Sequence, residues 1–439
     1  MTVRLPPATR GPSATIPPMF ERTALPDGPR VISARLPGSR SVSVAAYVLA
    51  GSRQESDPEI GAAHFMEHLT FKGTATYPTP RAISEAIEGV GGSLNASTDR
   101  ESTVYWVRLP RREAPRAMQV LGELVCRPIL DEAEIDQERT VIVEEIRSYL
   151  DDPVEQAQIL FATAMFGDGP LGREICGHVE AVRSLPAATI RDFWSTAYRP
   201  SNVVVALAGD IAHDEAVAMT ADAFGTGNGV APPFAAAPAL PAGPPVVVAE
   251  RDTAQVQFVV GVPALRRDHP DSWVLTVLNT VLGEGMSSRL FQSVREERAL
   301  AYDIGSSYVE YADCGALQVS AGVDPDDLAE ALTASLEELG RLAAEEVPAQ
   351  EIDKVKAYLS GSLEVRLDDT RHLSSWAGGQ EALHDRVLTL DEAVANIGAV
   401  AAADVQRLAG ELFRSDALRL AVVAPPGAAR DVERALTIP

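Results

Sequence analysis

Cysteine is scarce in this 439-residue chain: Cys126, Cys176 and Cys314 are all there are, far apart and odd in number. No C-x-x-C pair occurs, which argues against both a thiolate zinc site and a disulfide framework. Long apolar runs are missing too. No stretch approaches the roughly 20 residues of a membrane span. The opening MTVRLPPATRGPSATIPPMF also lacks the apolar core of a secretory signal. It reads as a loose N-terminal arm on a soluble, cytoplasmic protein. Positive charge is in deficit, with 38 Lys and Arg against 62 Asp and Glu and a formal net charge of −24. Nucleic acid and anionic membrane both ask for Lys/Arg stripes, so neither is expected as a partner. Neutral or cationic peptides are compatible with this balance.

What is present is an ordinary globular composition, 46% apolar and 23% charged, in a length that calls for two or more domains. Residues 225–245, GTGNGVAPPFAAAPALPAGPP, show neither helical nor strand periodicity and read as a linker between residues 1–224 and 246–439. The two halves repeat one another. Glu134-Ile135-Asp136 falls on Glu351-Ile352-Asp353, and Leu150-Asp151-Asp152 on Leu367-Asp368-Asp369, both at an offset of 217. Periodicity predicts strands in RVISARLP, SVSVAAYVLAG, VQFVVGVP and GALQVSAGV, and a hairpin or adjacent strands in SLNAST and STVYWVRL. It predicts helices over 60–72, 113–125, 131–149, 186–197, 271–299, 325–345 and 348–366. The expected fold is α+β: two homologous domains, each a mixed β-sheet with helices packed on one face.

Histidine is rare, seven in all, yet two stand four apart with an acid between them in HFMEHLTFKGT. On a helix His64 and His68 lie one turn apart on one face, and Glu67 reaches the same side. With all 62 acids counted as an upper bound for Glu, chance supplies about 0.02 such patterns in this composition. Two neutral imidazoles and a carboxylate, with one place open to water, form a catalytic rather than a structural zinc set. The bland alternative is a helix whose histidines are merely hydrogen-bonded. A third ligand is sought in the acidic helix 131–149. Glu138 and Glu145, seven apart, lie within about 20° of one face, with Glu144 well round from both. Glu132 and Glu134 read as a solvated face.

HFMEHLTFKGT, then GGSLNASTDRESTVY, then ERTVIVEEI, in that order, resemble the pitrilysin/insulinase family of inverted zinc peptidases. Within it, the chain is most similar to short bacterial members related to the mitochondrial processing peptidase beta subunit. The 69 residues between His68 and Glu138, and the six between Glu138 and Glu145, match the family spacing. The resemblance implies that His64, His68 and Glu145 bind one Zn2+, that Glu67 is the general base and that Glu138 orients a ligand. It implies that GGSLNAST is a substrate-facing edge strand, with Asn95 and Ala96 beside the scissile bond; read locally, Asn95 is a turn residue. SSRLFQSVREERALAYDIGSSY resembles the segment whose Arg and Tyr, here Arg295 and Tyr302, complete the active site from the metal-free half. Read without the family, these two are a charge on an amphipathic helix and a strand residue.

At the offset of 217, Ser362 stands where Glu145 would be, so the second half has no equivalent metal set. The family needs four such domains around a chamber, which implies a clamshell-type dimer. A homodimer is expected because both partial sites are present, and a heterodimer with a metal-free homologue is the alternative. The expected activity is endopeptidase cleavage of peptides or unstructured segments. The alternatives are a dedicated leader- or precursor-processing peptidase and a non-catalytic core or binding subunit.

Overall fold

The computed structural model describes residues 19–229, 233–430 and 432–439. Most of the expected N-terminal arm and residues 230–232 of the expected linker lie outside them. Among the described residues the first half contributes six strands: β1 (Phe20–Ala24), β2 (Arg30–Arg35), β3 (Ser41–Val48), β4 (Ser93–Thr98), β5 (Thr103–Pro110) and β6 (Val203–Gly209). They lie in the order β1-β2-β6-β3-β5-β4. The second half contributes β7 (Val246–Glu250), β8 (Val256–Ala264), β9 (Ala301–Glu310), β10 (Gly315–Val323) and β11 (Arg419–Ala424), ordered β7-β11-β8-β10-β9. With β1 set aside the two orders coincide. The parallel pair, β2–β6 or β7–β11, also falls at the same place in each sheet. The repeat in the sequence is therefore a repeat of topology.

Burial along the strands explains their composition. All seven residues of β6 (VVVALAG) are buried, the signature of a strand covered on both faces. By contrast, β4 alternates exposed and half-buried residues because it is an edge strand. Helices of each half's own chain cover one face of its sheet, forming two main cores.

The other face is covered by exchange. Helix Pro153–Phe166, from the first half, packs on β8 and β11 through Ala157, Phe161 and Met165. Helix Thr370–His384, from the second half, packs on β2, β3 and β6, where Ala377 meets Tyr47 and Ala206. These helices start 217 residues apart, and each is opened by an aspartate whose side chain accepts backbone N–H bonds, Asp152 from Val154 and Asp369 from Arg371 and His372. Close approach requires glycine on both sides. A Cβ on Gly378 would lie 2.4 Å from the Tyr47 ring, and one on Gly261 would lie 2.7 Å from the Phe161 ring.

A charged cluster ties the halves together beside the connecting segment. Arg53, whose side chain is 0% exposed, donates to Glu101 at 2.5 Å, to Asp313 at 2.7 Å and to the Ala235 carbonyl at 3.1 Å. Its guanidinium lies over the Phe234 ring. Arg267 of the second half donates to the other oxygen of Glu101.

The helical stretch expected over 271–299 is interrupted. Helix Ser272–Gly283 ends where Gly285 takes a left-handed φ of 84°, and a wider helical segment, Phe291–Glu297, follows. Among the described residues no helix is long and apolar enough to cross a membrane.

Candidate metal centre

Helix Ala62–Thr70 begins at Gly61, whose left-handed φ of 91° turns the chain into it. Its first free N–H groups are not left bare. Glu55 accepts from Gly61 N at 2.9 Å and from Ala63 N at 2.8 Å, anchoring the helix at the end nearer His64. Facing it is helix Glu132–Asp151, opened by Asp131, whose carboxylate accepts from Ala133 N.

The two helices bring His64, His68 and Glu145 together, with one ligand atom from each within 4.8 Å of the others. His64 Nε2 lies 3.7 Å from one Glu145 oxygen and His68 Nε2 lies 3.4 Å from the other. Tetrahedral coordination with zinc–nitrogen and zinc–oxygen bonds of about 2.0–2.2 Å sets donors about 3.3–3.6 Å apart. The donor set therefore fits that ion in kind and in spacing.

Each donor has its own surroundings. His68 Nδ1 lies 2.8 Å from the buried Glu138, whose second oxygen is paired with Lys72. Tyr149 donates to Glu145 at 2.6 Å. His64 has the Cys176 thiol 3.6 Å from Nε2, while its Nδ1 is buried without a hydrogen-bond partner. Burial, then the neighbouring His68, takes the His64 imidazole down to about 4, so it stands neutral and able to ligate. For His68 burial opposes the charged form, but Glu138 and Glu145 outweigh it and lift the ring to about 9. A cation entering the site displaces that proton. The hydrogen bond with His68 is the main cause holding Glu145 at about 2, a carboxylate throughout the ordinary range.

Glu67 opens onto the same cleft, about 400 Å³ in volume, which residues of the first half alone line. Thr98 at the end of β4 donates to Glu67 at 2.6 Å, yet burial raises the Glu67 carboxyl above its usual range. Asn95 and Ala96 lie further along this edge strand. Asn95 is exposed, its side-chain oxygen accepting from Ala96 N at 2.9 Å, while Ala96 packs toward the core. Arg295 and Tyr302 are placed elsewhere. The Arg295 guanidinium lies 4.6 Å from the Phe291 ring centre and 5.8 Å from that of Tyr302, and neither residue lines the cleft. Tyr302 is 76% exposed.

Sequence reasoning did not single out Thr98, Lys72, Tyr149 or Glu55. One signal was available for Lys72, which is one of only three lysines in the chain and follows His68 by four residues, one helical turn.

A family model described as Insulinase (Peptidase family M16) matches residues 30–178, and one described as Peptidase M16 inactive domain matches residues 184–359. The second match begins late in the first half, runs through much of the second and ends three residues before Ser362. An uncharacterized zinc protease of Streptomyces coelicolor is 37% identical over 89% of this chain and 87% of its own. One of Mycobacterium leprae is 35% identical over 95% and 94%, and one of Bacillus subtilis, YmxG, 33% over 93% and 99%. In fold, the chain is similar to a protease from Helicobacter pylori, with a TM-score of 0.85, 23% identity and coverage of 92% and 99%. It is similar also to a chain of complex III2 from Candida albicans, with a TM-score of 0.80, 18% identity and coverage of 95% and 98%. Across both of its halves, the chain belongs to peptidase family M16, the insulinase family.

Proposed function

We propose that the protein is a zinc-dependent endopeptidase that cuts peptides or unstructured segments inside an enclosed chamber in the cytoplasm. The observation that carries this reading is the convergence of His64, His68 and Glu145 beside a raised, cleft-facing Glu67. One zinc ion per chain, held by those three, would supply Lewis acidity toward a carbonyl and lower the pKa of water to about 7. Glu67, steadied by Thr98, accepts a proton from the attacking water and returns it to the departing amine. Glu138 fixes the His68 ring from behind, and Lys72 fixes Glu138. The outer edge of β4 offers main-chain groups to an extended substrate, with Asn95 and Ala96 beside the bond to be cut.

Arg295 and Tyr302 serve the metal of a second copy, Arg295 on the substrate main chain and Tyr302 on the developing oxyanion. Their separation from the cleft of their own chain and the exposure of Tyr302 support this reading. A homodimer is thus favoured over a heterodimer with a metal-free homologue. General peptide turnover and maturation of one dedicated precursor use the same chemistry.

A quenched-peptide assay with and without chelator, run beside Glu67→Gln, tests the proposal. Wild type should cleave and stop on chelation, while Glu67→Gln should bind zinc normally and lose at least ~10²-fold in rate. Equal inactivity of both proteins with every metal supplied would favour a binding subunit instead.

A further inference from the structure

Laying the halves together at the offset of 217 puts Ser362 on Glu145, Arg366 on Tyr149 and Trp376 on Ile159. Those three first-half residues line the metal cleft, and their three counterparts line a single cavity in the second half. The half without metal donors has therefore kept the cleft. It is also roomier, about 620 Å³ against about 400 Å³, within the range of small-molecule sites.

Its walls differ in kind. Trp273, Tyr308 and Trp376 supply aromatic surface, with Leu359 and Ile397 between the helices. Two lining groups each carry one atom with nothing to bond, although the carboxamide oxygen of Gln380 accepts from Leu388 N. Glu310 Oε1 and Gln380 Nε2 are both buried and without a hydrogen-bond partner. Buried polar atoms are normally satisfied, so an idle acceptor and an idle donor in one cavity point to an absent occupant. Arg366, exposed, lends a guanidinium that has no side-chain partner among the described residues. Of the other charges, His384 is engaged with Asp268 and Arg386 with Glu392, while Glu284 accepts from the Thr280 hydroxyl.

We propose that this cavity binds a small zwitterion with an apolar body, namely a free hydrophobic amino acid or a dipeptide. The ammonium pairs with Glu310, the carboxylate accepts from Gln380 Nε2 and Arg366, and the side chain lies against Trp273 and Trp376. An acid, a carboxamide donor and a cation over aromatic walls match this chemistry, whereas a lone cation would leave Gln380 unsatisfied. The inference does not depend on the metal centre.

Calorimetric titration of the full chain with L-leucine and with Leu-Leu tests it. Because amino acids also chelate zinc, both titrations are repeated on His68→Ala, where binding should persist. Leucinamide, lacking the carboxylate, and 4-methylpentanoate, lacking the amine, should each bind at least ~10-fold more weakly, as should leucine to Glu310→Gln and Arg366→Met. Ser362→Trp, which fills the cavity from one wall, should abolish binding and serves if Glu310→Gln fails to fold. The relative strength of leucine and Leu-Leu tells which zwitterion the site takes. The proposal is overturned if neither zwitterion binds at ~10 mM. Binding that disappears in His68→Ala but survives in Ser362→Trp would equally place it at the metal centre and refute the cavity.

Discussion

Lys72 touches no metal donor, yet it grips the oxygen of Glu138 that His68 leaves free. Removing it leaves a carboxylate of 3% exposure with one charge-assisted bond fewer, free to rotate away from the imidazole. Lys72→Met should weaken zinc binding by about 10–100-fold in a chelator competition, and Lys72→Arg should restore much of it. An unchanged affinity would mean that Glu138 holds its place without help. A spacing of four puts His64 and His68 on one helical face, and a spacing of seven does the same for Glu138 and Glu145, but only the resemblance chose Glu145 over Glu138 as the third donor. Thr98, Tyr149 and Glu55 were not legible, because what they do depends on which oxygen or N–H the fold delivers to them. No spacing in the sequence encodes that meeting.

At the level of elements, the strands with clean alternation or continuous apolar runs were readable, as were the long helices bordering the cleft. Helices Pro153–Phe166 and Thr370–His384 were not read, although the Leu-Asp-Asp repeat runs directly into both. Their sequences lack a clear periodic stripe. Phe161, Met165 and Phe166 bury together with small residues, and what they bury against is the other half's sheet. Strand β9 was read only at Tyr302, for a different reason: it is an edge strand with a mixed face, where burial imposes little pattern. The break at Gly283-Glu284-Gly285 was visible as glycine, but the apolar runs on both sides favoured one continuous helix. Tight seating of the exchanged helices gives a direct test. Gly378→Ala puts a methyl group into the Tyr47 ring and should cost about 1–3 kcal/mol in urea unfolding. Gly379→Ala, one position on, has nothing nearer than the Tyr47 hydroxyl at 3.9 Å and should be near neutral.

For the whole molecule, the proposed dimer predicts complementation. His68→Ala lacks a metal donor, and the double variant Arg295→Ala, Tyr302→Phe lacks the groups lent across the interface, so each should be inactive alone. Mixed one to one under exchange, half of the dimers carry one intact site, giving about a quarter of wild-type activity. Zero recovery despite verified exchange would place Arg295 and Tyr302 outside the working site. The joint between halves carries a pH signature as well. Partial burial opposes charge on Asp313, but the Ala237 N–H and Arg53 hold its carboxyl below the usual range. A folded-state pKa below the unfolded one adds stability above the unfolded value, lost as pH falls through the folded one. Thermal stability should therefore drop below about pH 4 more steeply in wild type than in Asp313→Asn.

The crossed placement of helices Pro153–Phe166 and Thr370–His384 bears on how such a chain can be divided or built. A single half expressed alone would expose one face of its sheet and project an apolar helix with nowhere to rest. Two copies of one half, each lending that helix to the other, would satisfy both sheets at once, which is the arrangement of a domain-swapped pair. The fused chain has the architecture of such a pair joined end to end, and cutting the connection should yield fragments that fold in each other's company and aggregate apart.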